Sequence, residues 1–367
     1  MINIRTLKKA MSFGTRHITQ VIDYYLEKGF TRPDRVSLNL TRRCNAKCIM
    51  CDFWRTAARE QNEISAEKWV ETLEELHKWI GPFTLVLSGG EIFVKKGIYD
   101  IIKRAIDLNI SLDILTNGIV FRSDENLRKL YDTGLSSIVF SLDGMIPEIH
   151  DKFRGREGLH KTVIDAIAKI KKQNPKMNIA TMCIVMKDTI SQMVDYVHWA
   201  KNLGIKSVQF QPIAPNFGSD DIVDGNWYKT NEFFIHDIDL VNEVMDELIR
   251  LRRKDNFIGN TEDHLEKIKD YFKNPNIVQA KQTRCMLGQT NININEYGDI
   301  SFCYNFDNNF GNINDGPIKK TWRSSKANKF RKQIKHCRLP CLALCVRSFT
   351  LMEKIVLFFK YAKMGKV

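Results

Sequence analysis

Between Arg35 and Pro212 the chain alternates short β-rich runs with amphipathic helical patterns, and this rhythm admits few folds, because it is the signature of parallel βα units. The runs are RVSLNL (Arg35 to Leu40), FTLVLS (Phe83 to Ser88), SLDILT (Ser111 to Thr116), SSIVFS (Ser136 to Ser141), NIATMCIV (Asn178 to Val185) and SVQFQP (Ser207 to Pro212). After the first, Ser65 is placed to cap a helix whose Trp69, Leu73, Leu76 and Ile80 fall on one face. Helical patterns follow each of the next four runs, in GIYDIIKRAIDL, ENLRKLYDTG, LHKTVIDAIAKIKK and ISQMVDYVHWAKNLG. Six such units wind into a curved parallel sheet or an incomplete barrel, with functional groups on the loops at the strands' C-terminal ends.

The loop after the first run reads LTRRCNAKCIMCDFW, with Cys44, Cys48 and Cys51 inside eight positions. Structural zinc fills four positions, and no fourth cysteine or histidine is near. Three thiolates on a cubane iron-sulfur cluster leave one iron open to a ligand. Three unrelated thiols or an incomplete zinc knuckle are the structural alternatives. Cys183 lies inside the fifth β-rich run and is expected to be a core thiol. His150 and His160 lack metal-ligand spacing and are expected to be surface or local hydrogen-bonding groups.

Composition narrows the setting. A chain of 367 residues, 43% hydrophobic, buries a sizeable core. No apolar stretch is long enough for a bilayer span, and the basic opening lacks a signal-peptide core, so a cytoplasmic location is expected. There, clustered cysteines more often hold metal than form disulfides, and nine is an odd number. The net charge of +13 suits acidic partners, but a basic solvated surface explains it as well, and no stable nucleic-acid complex is expected.

Cys44-x3-Cys48-x2-Cys51 after a first strand resembles the signature of the radical SAM superfamily. LSGGE (Leu87 to Glu91) is similar to that family's Gly-Gly-Glu motif, LTNG closes the third strand, and SLDGMIPEIHDKFRG (Ser141 to Gly155) resembles the fourth-strand segment of the subgroup with a SPASM or twitch extension. The resemblance implies a partial (β/α)6 barrel followed by a small auxiliary-cluster domain. It implies a 4Fe-4S cluster held by Cys44, Cys48, Cys51 and S-adenosylmethionine (SAM), cleaved reductively to a 5'-deoxyadenosyl radical that abstracts hydrogen from a substrate. SAM contacts are expected from Gly89, Gly90 and Glu91 for the ammonium, Ser141 and Asp143 for the ribose, Arg154 for the carboxylate, and Asn117 and Gln211. Met50 stands where the family often has an aromatic, so Phe53 and Trp54 are candidates to cover the adenine or the cluster.

A second cysteine region begins at Cys285, with Gly298 and Cys303 following at intervals that resemble the opening of SPASM and twitch domains. HCRLPCLALC adds Cys337, Cys341 and Cys345. Five cysteines complete one four-thiolate cluster and cannot supply two. The expected set is Cys285, Cys303, Cys341 and Cys345, with Cys337 spare or alternative; zinc is the competing metal. The resulting division is an N-terminal helical extension (1–34), the radical SAM core (35–240), a helical linker (241–284), the auxiliary-cluster domain (285–348) and a basic amphipathic tail (349–367).

The expected substrate is a small or conjugated metabolite, such as a sugar, alcohol or lipid-linked glycan, because 34 residues ahead of the core are too few for a leader-binding domain. A peptide or protein maturase is the alternative, and a non-catalytic nucleic-acid-binding metalloprotein is the alternative of another class. An external electron donor such as flavodoxin or ferredoxin is implied, and no catalytic base is identified. The tail, with Leu351, Ile355, Phe358 and Phe359 among lysines, docks on the protein or makes a peripheral membrane contact.

Overall fold

The computed structural model describes residues 4–57, 62–215, 225–275, 285–304 and 309–337, with side chains from residue 15 onward. Cys341, Cys345 and the tail 349–367 lie outside the described residues. One nine-stranded sheet organises the molecule: β1 (Arg35–Asn39), β2 (Thr84–Ser88), β3 (Ser111–Thr116), β4 (Ser137–Ser141), β5 (Asn178–Val185), β6 (Ser207–Pro212), β7 (Asn291–Ile294), β8 (Asp299–Ser301) and β9 (Gly311–Asn312). The order is β6-β5-β4-β3-β2-β1-β7-β8-β9. Strands β1 to β6 pair in parallel with their sequence neighbours and the sheet stays open, so the expected partial barrel is present.

Helix α1 (Ile4–Leu26) precedes the sheet, and α2 (Ala66–Ile80), α3 (Ile98–Asp107), α4 (Asp124–Asp132), α5 (Pro147–Arg154), α6 (Leu159–Gln173) and α7 (Met193–Asn202) lie between its parallel strands. Ser65 caps α2 by accepting from the Lys68 N–H, and the Trp69, Leu73, Leu76, Ile80 face is fully buried. Burial of each such side chain contributes roughly 1.5–3 kcal/mol. Helix α5 was not expected as a separate element. Pro147 at its first turn and left-handed Gly155 (φ 63°) at its end delimit it.

Beyond β6, α8 (Ile238–Asp255) and α9 (Glu262–Lys273) pack together. Asp237 caps α8 by accepting from Leu240 N–H, and left-handed Asn256 closes it. The free edge of β6 is covered: Asn260 accepts from Phe210 N–H and donates to Phe210 O, while Ile258 bridges Val208. At the opposite edge β7 pairs in parallel with β1, from Arg35 opposite Asn291 to Leu38 opposite Ile294. The second cysteine region therefore continues the sheet that carries the first. Helix α10 (Ser325–Lys335) follows.

Candidate active site

The loop with Cys44, Cys48 and Cys51 leaves the C-terminal end of β1 and is gripped from two sides. On one, Gly90 N–H donates to Thr41 O (2.7 Å) and Glu91 N–H to Arg43 O (2.9 Å). A Cβ on Gly89 would stand 2.3 Å from Thr41 O, and one on Gly90 2.3 Å from Arg43 O. Glycine is needed there because the stem of the cysteine loop approaches, so the backbone closeness expected for SAM is used first by the chain itself. On the other side, Lys47 N–H donates to Arg154 O (3.2 Å) and Ile49 N–H to Phe153 O (3.0 Å). At Gly155 a Cβ would lie 2.0 Å from Lys47 O.

Glu91 sits at the centre of this arrangement, almost wholly buried. Its carboxylate accepts from Thr116 Oγ1 (2.9 Å), Phe93 N–H (3.2 Å) and Asn117 N–H (2.8 Å). Burial pushes its pKa up to about 7 despite those donors. Glu91 thus ties the end of β2 to the end of β3 in addition to any ligand contact. Asn117 carries the connection onward: its Nδ2 donates to Asn45 Oδ1 (2.8 Å) and reaches Cys44 Sγ at 3.7 Å.

Asp143 and Arg154, expected as separate contacts to ribose and carboxylate, face each other. Arg154 Nε donates to Asp143 Oδ2 at 2.6 Å and Nη2 to Oδ1 at 3.0 Å, and Ile184 N–H donates to Oδ1 at 2.9 Å. Burial alone would raise the Asp143 carboxyl, but the Arg154 guanidinium holds it below the ordinary range. The Arg154 charge also acts on the Cys48 thiol, opposing the rise that burial imposes. His150, fully buried rather than at the surface, accepts Asp143 N–H through Nδ1 at 3.1 Å. Burial pushes its pKa down to about 4, so the ring is neutral. His160 is likewise buried, its Nε2 3.2 Å from Gly144 O and its ring stacked on Trp199.

The three thiols suit a polycationic group. Burial, followed by Glu91 and then the other two thiols, pushes Cys44 up to about 12; burial pushes Cys51 up to about 11 and raises Cys48. Thiolates that repel one another in this way need the positive charge that a cluster's iron supplies. Phe53 and Trp54 brace the loop: Trp54 Nε1 donates to Cys48 O (3.1 Å), and Arg42 lies over the Phe53 ring.

Sequence reasoning missed the anchors of the loop's stem. Glu63, almost fully buried, takes Thr41, Arg43 (3.3 Å) and Lys95 (2.9 Å). Arg42 pairs with buried Glu296 at 2.7 Å, from the turn after β7. The Arg42-Arg43 dipeptide before the first cysteine was the only trace of these pairs in the sequence. Ser141 is buried at the end of β4, and buried Gln211 on β6 donates to Pro212 O at 3.4 Å. Cys183 is a buried thiol, its pKa raised well above the ordinary value by burial. In the second region Cys303 is buried after β8, and Cys285 is pushed up to about 11 by burial and then by neighbouring Cys337. Cys337, expected as a spare or alternative ligand, is near enough to Cys285 for its charge to act on that thiol.

The family model described as Radical SAM superfamily matches residues 38–210, and the SPASM model, an iron-sulfur cluster-binding domain, matches 285–345. The antilisterial bacteriocin subtilosin biosynthesis protein AlbA of Bacillus subtilis is 24% identical over 94% of this chain and 73% of AlbA. The sporulation killing factor maturation protein SkfB of the same organism is 28% identical over 51% of this chain and 43% of SkfB, so the chain spans less than half of that relative. Streptococcus suis SuiB bound to S-adenosylmethionine shares the fold, with a TM-score of 0.64 at 14% identity, over 84% of this chain and 73% of SuiB. With both models matched in order on one sheet, the chain belongs to the radical SAM superfamily and carries a SPASM iron-sulfur cluster-binding domain.

Proposed function

We propose that this radical SAM enzyme modifies a peptide, with Cys44, Cys48 and Cys51 as the ligands of the cluster that binds SAM. The observation that carries the reading is the AlbA match, which extends over 94% of the chain and so includes both cysteine regions. SkfB, described as a maturation protein, and the PqqA peptide cyclases point the same way, and SuiB has been solved with its precursor peptide SuiA. These relatives favour a peptide over the small-metabolite substrate.

When bound, the cluster and SAM supply a carbon-centred radical that removes hydrogen from substrate. The chain's part is to hold and shield. Glu91, Thr116 and Asn117 fix the strand ends, and Arg154, held by Asp143, places its charge beside Cys48. Cys285, Cys303 and Cys337, with Cys341 or Cys345, hold one auxiliary cluster. Electrons enter from an external donor of the flavodoxin or ferredoxin kind.

The test is anaerobic reconstitution with dithionite, SAM and deuterated synthetic peptides, including a cysteine-containing peptide of the type bound in anSMEcpe structures. Deuterium appearing in 5'-deoxyadenosine, with a matching mass change in a peptide, supports the reading. Deuterium arriving from labelled sugars or alcohols and never from peptides would return the assignment to a small molecule.

A further inference from the structure

From residue 15 onward, where its side chains are described, α1 buries three polar groups together with Tyr24. Buried Arg16 donates to Pro82 O (2.6 Å) and Ile80 O (2.9 Å), buried Gln20 donates to Arg32 O (3.0 Å), and buried Asp23 accepts from Gly29 N–H (2.8 Å). The residues turned to solvent are apolar: Ile18, Ile22, Tyr25 and Leu26, continued by Phe30, are each 40% to 56% exposed. A single exposed apolar side chain is ordinary, but a stripe at helical spacing opposite those buried groups marks a surface built for a partner.

Charge identifies the partner. The stripe adjoins α10: Lys335 pairs with Glu27 at 2.8 Å and lies over the Tyr24 and Tyr25 rings, and Arg323 donates to Phe30 O at 3.5 Å. Residues 317–337 contain no Asp or Glu. They expose Lys319, Lys320, Arg323, Lys326, Lys329 and Lys332. Phosphates alone would need the cations and not the aliphatic stripe, whereas an apolar protein surface would need the stripe and not the cations. An anionic bilayer uses both, taking the apolar side chains into the acyl boundary and the lysines onto its headgroups. The tail 349–367 adds charge of the same sign through Lys354, Lys360, Lys363 and Lys366, so it reinforces this attraction instead of neutralising α10.

We propose that the exposed face of α1, with the exposed cations of the adjoining segment 317–337, is an interfacial docking site for anionic lipid bilayers. No helix among the described residues is long and apolar enough to cross a membrane, so the contact is monotopic. The inference does not depend on the substrate being a peptide, and its readout is separate from radical chemistry.

The experiment is co-sedimentation of the full chain with phosphatidylcholine vesicles, with or without an equal part of phosphatidylglycerol, at low and high salt. Binding is expected to the anionic vesicles and to weaken with salt. I22E/L26E should lower partitioning at least about 30-fold through lost apolar burial. K329E/K332E should lower it by about 30-fold or more, at about five-fold per cation. I18S/L26S serves as a milder second pair, with circular dichroism confirming that each variant is folded. A chain lacking 349–367 should still bind anionic vesicles. Absence of binding to anionic vesicles, binding unaltered in both double variants, or binding abolished by tail deletion would overturn the proposal. So would a dimer in light scattering that I22E/L26E dissolves while vesicle binding persists.

Discussion

Arg154 grips Asp143 through two nitrogens, Nε to Oδ2 at 2.6 Å and Nη2 to Oδ1 at 3.0 Å, with both side chains at least nine-tenths buried, while the backbone carbonyl of Arg154 receives Lys47 N–H from the cysteine loop. One residue therefore couples a buried ion pair to the loop that carries the metal-binding thiols. Asp143→Ala leaves an uncompensated buried guanidinium and should cost about 3–5 kcal/mol. Asp143→Leu combined with Arg154→Met should recover most of that loss. A double-mutant cycle by urea unfolding measures the coupling, and additive single losses would contradict it.

Gly90 matters through the loop stem it touches. In Gly90→Ala the new Cβ, 2.3 Å from Arg43 O, must displace that stem at a cost of about 1–3 kcal/mol. Iron bound after anaerobic reconstitution should fall well below wild type. Gly225→Ala, where a Cβ meets nothing within 4 Å, is the matched control and should load normally.

Asn117 bears on the chemistry of Cys44. Asn117→Ala removes the Nδ2 donor that reaches Cys44 Sγ at 3.7 Å and Asn45 at 2.8 Å. Loss of a donor to a cluster sulfur disfavours the more negative reduced state, so the potential should move downward. The initial rate of 5'-deoxyadenosine formation should drop by about 10–100-fold. Redox titration followed by electron paramagnetic resonance reads the first effect; an unchanged potential would separate Asn117 from the cluster.

His150 sets an acid limit on stability. Burial first, and then the Arg154 charge against the opposing pull of Asp143, lower its pKa to about 4 from an ordinary value of 6.5. Between those values the unfolded chain binds the extra proton, so stability rises with pH across the window and is lost as pH falls through it. The full span corresponds to about 3 kcal/mol. Urea unfolding at pH 6.5 and 4.5 should show the decline, and His150→Gln should flatten its slope.

Cys285 and Cys337 are predicted to act on one auxiliary cluster. Cys285→Ala or Cys337→Ala should remove about half of the bound iron, one cubane of two, while SAM cleavage persists. Cys44→Ala, Cys48→Ala or Cys51→Ala should abolish cleavage. Full iron in Cys337→Ala would restore the ligand set in which that cysteine is spare.

The βα rhythm was legible because alternating apolar runs and helical faces are local properties. Ser65 capping α2 and the buried Trp69, Leu73, Leu76, Ile80 face are that reading in three dimensions. The triad and the strand-end motifs were legible because each lies at a fixed place in a βα unit. Helix α5 escaped, although Pro147 and Gly155 marked its ends, because its sequence was read as the close of a strand motif.

What the sequence determined by itself is a parallel sheet with thiols at the end of its first strand and the family these features resemble. Only the tertiary structure decided where the polar groups spend their bonds. It turned Gly89 and Gly90 toward the cysteine loop, joined Asp143 to Arg154 across α5, and brought Glu63 and Glu296 to Arg43 and Arg42. The reason is physical: buried charges and close backbone approaches are satisfied by partners far away in the chain, 254 residues for Arg42 and Glu296, and no local pattern encodes such a distance.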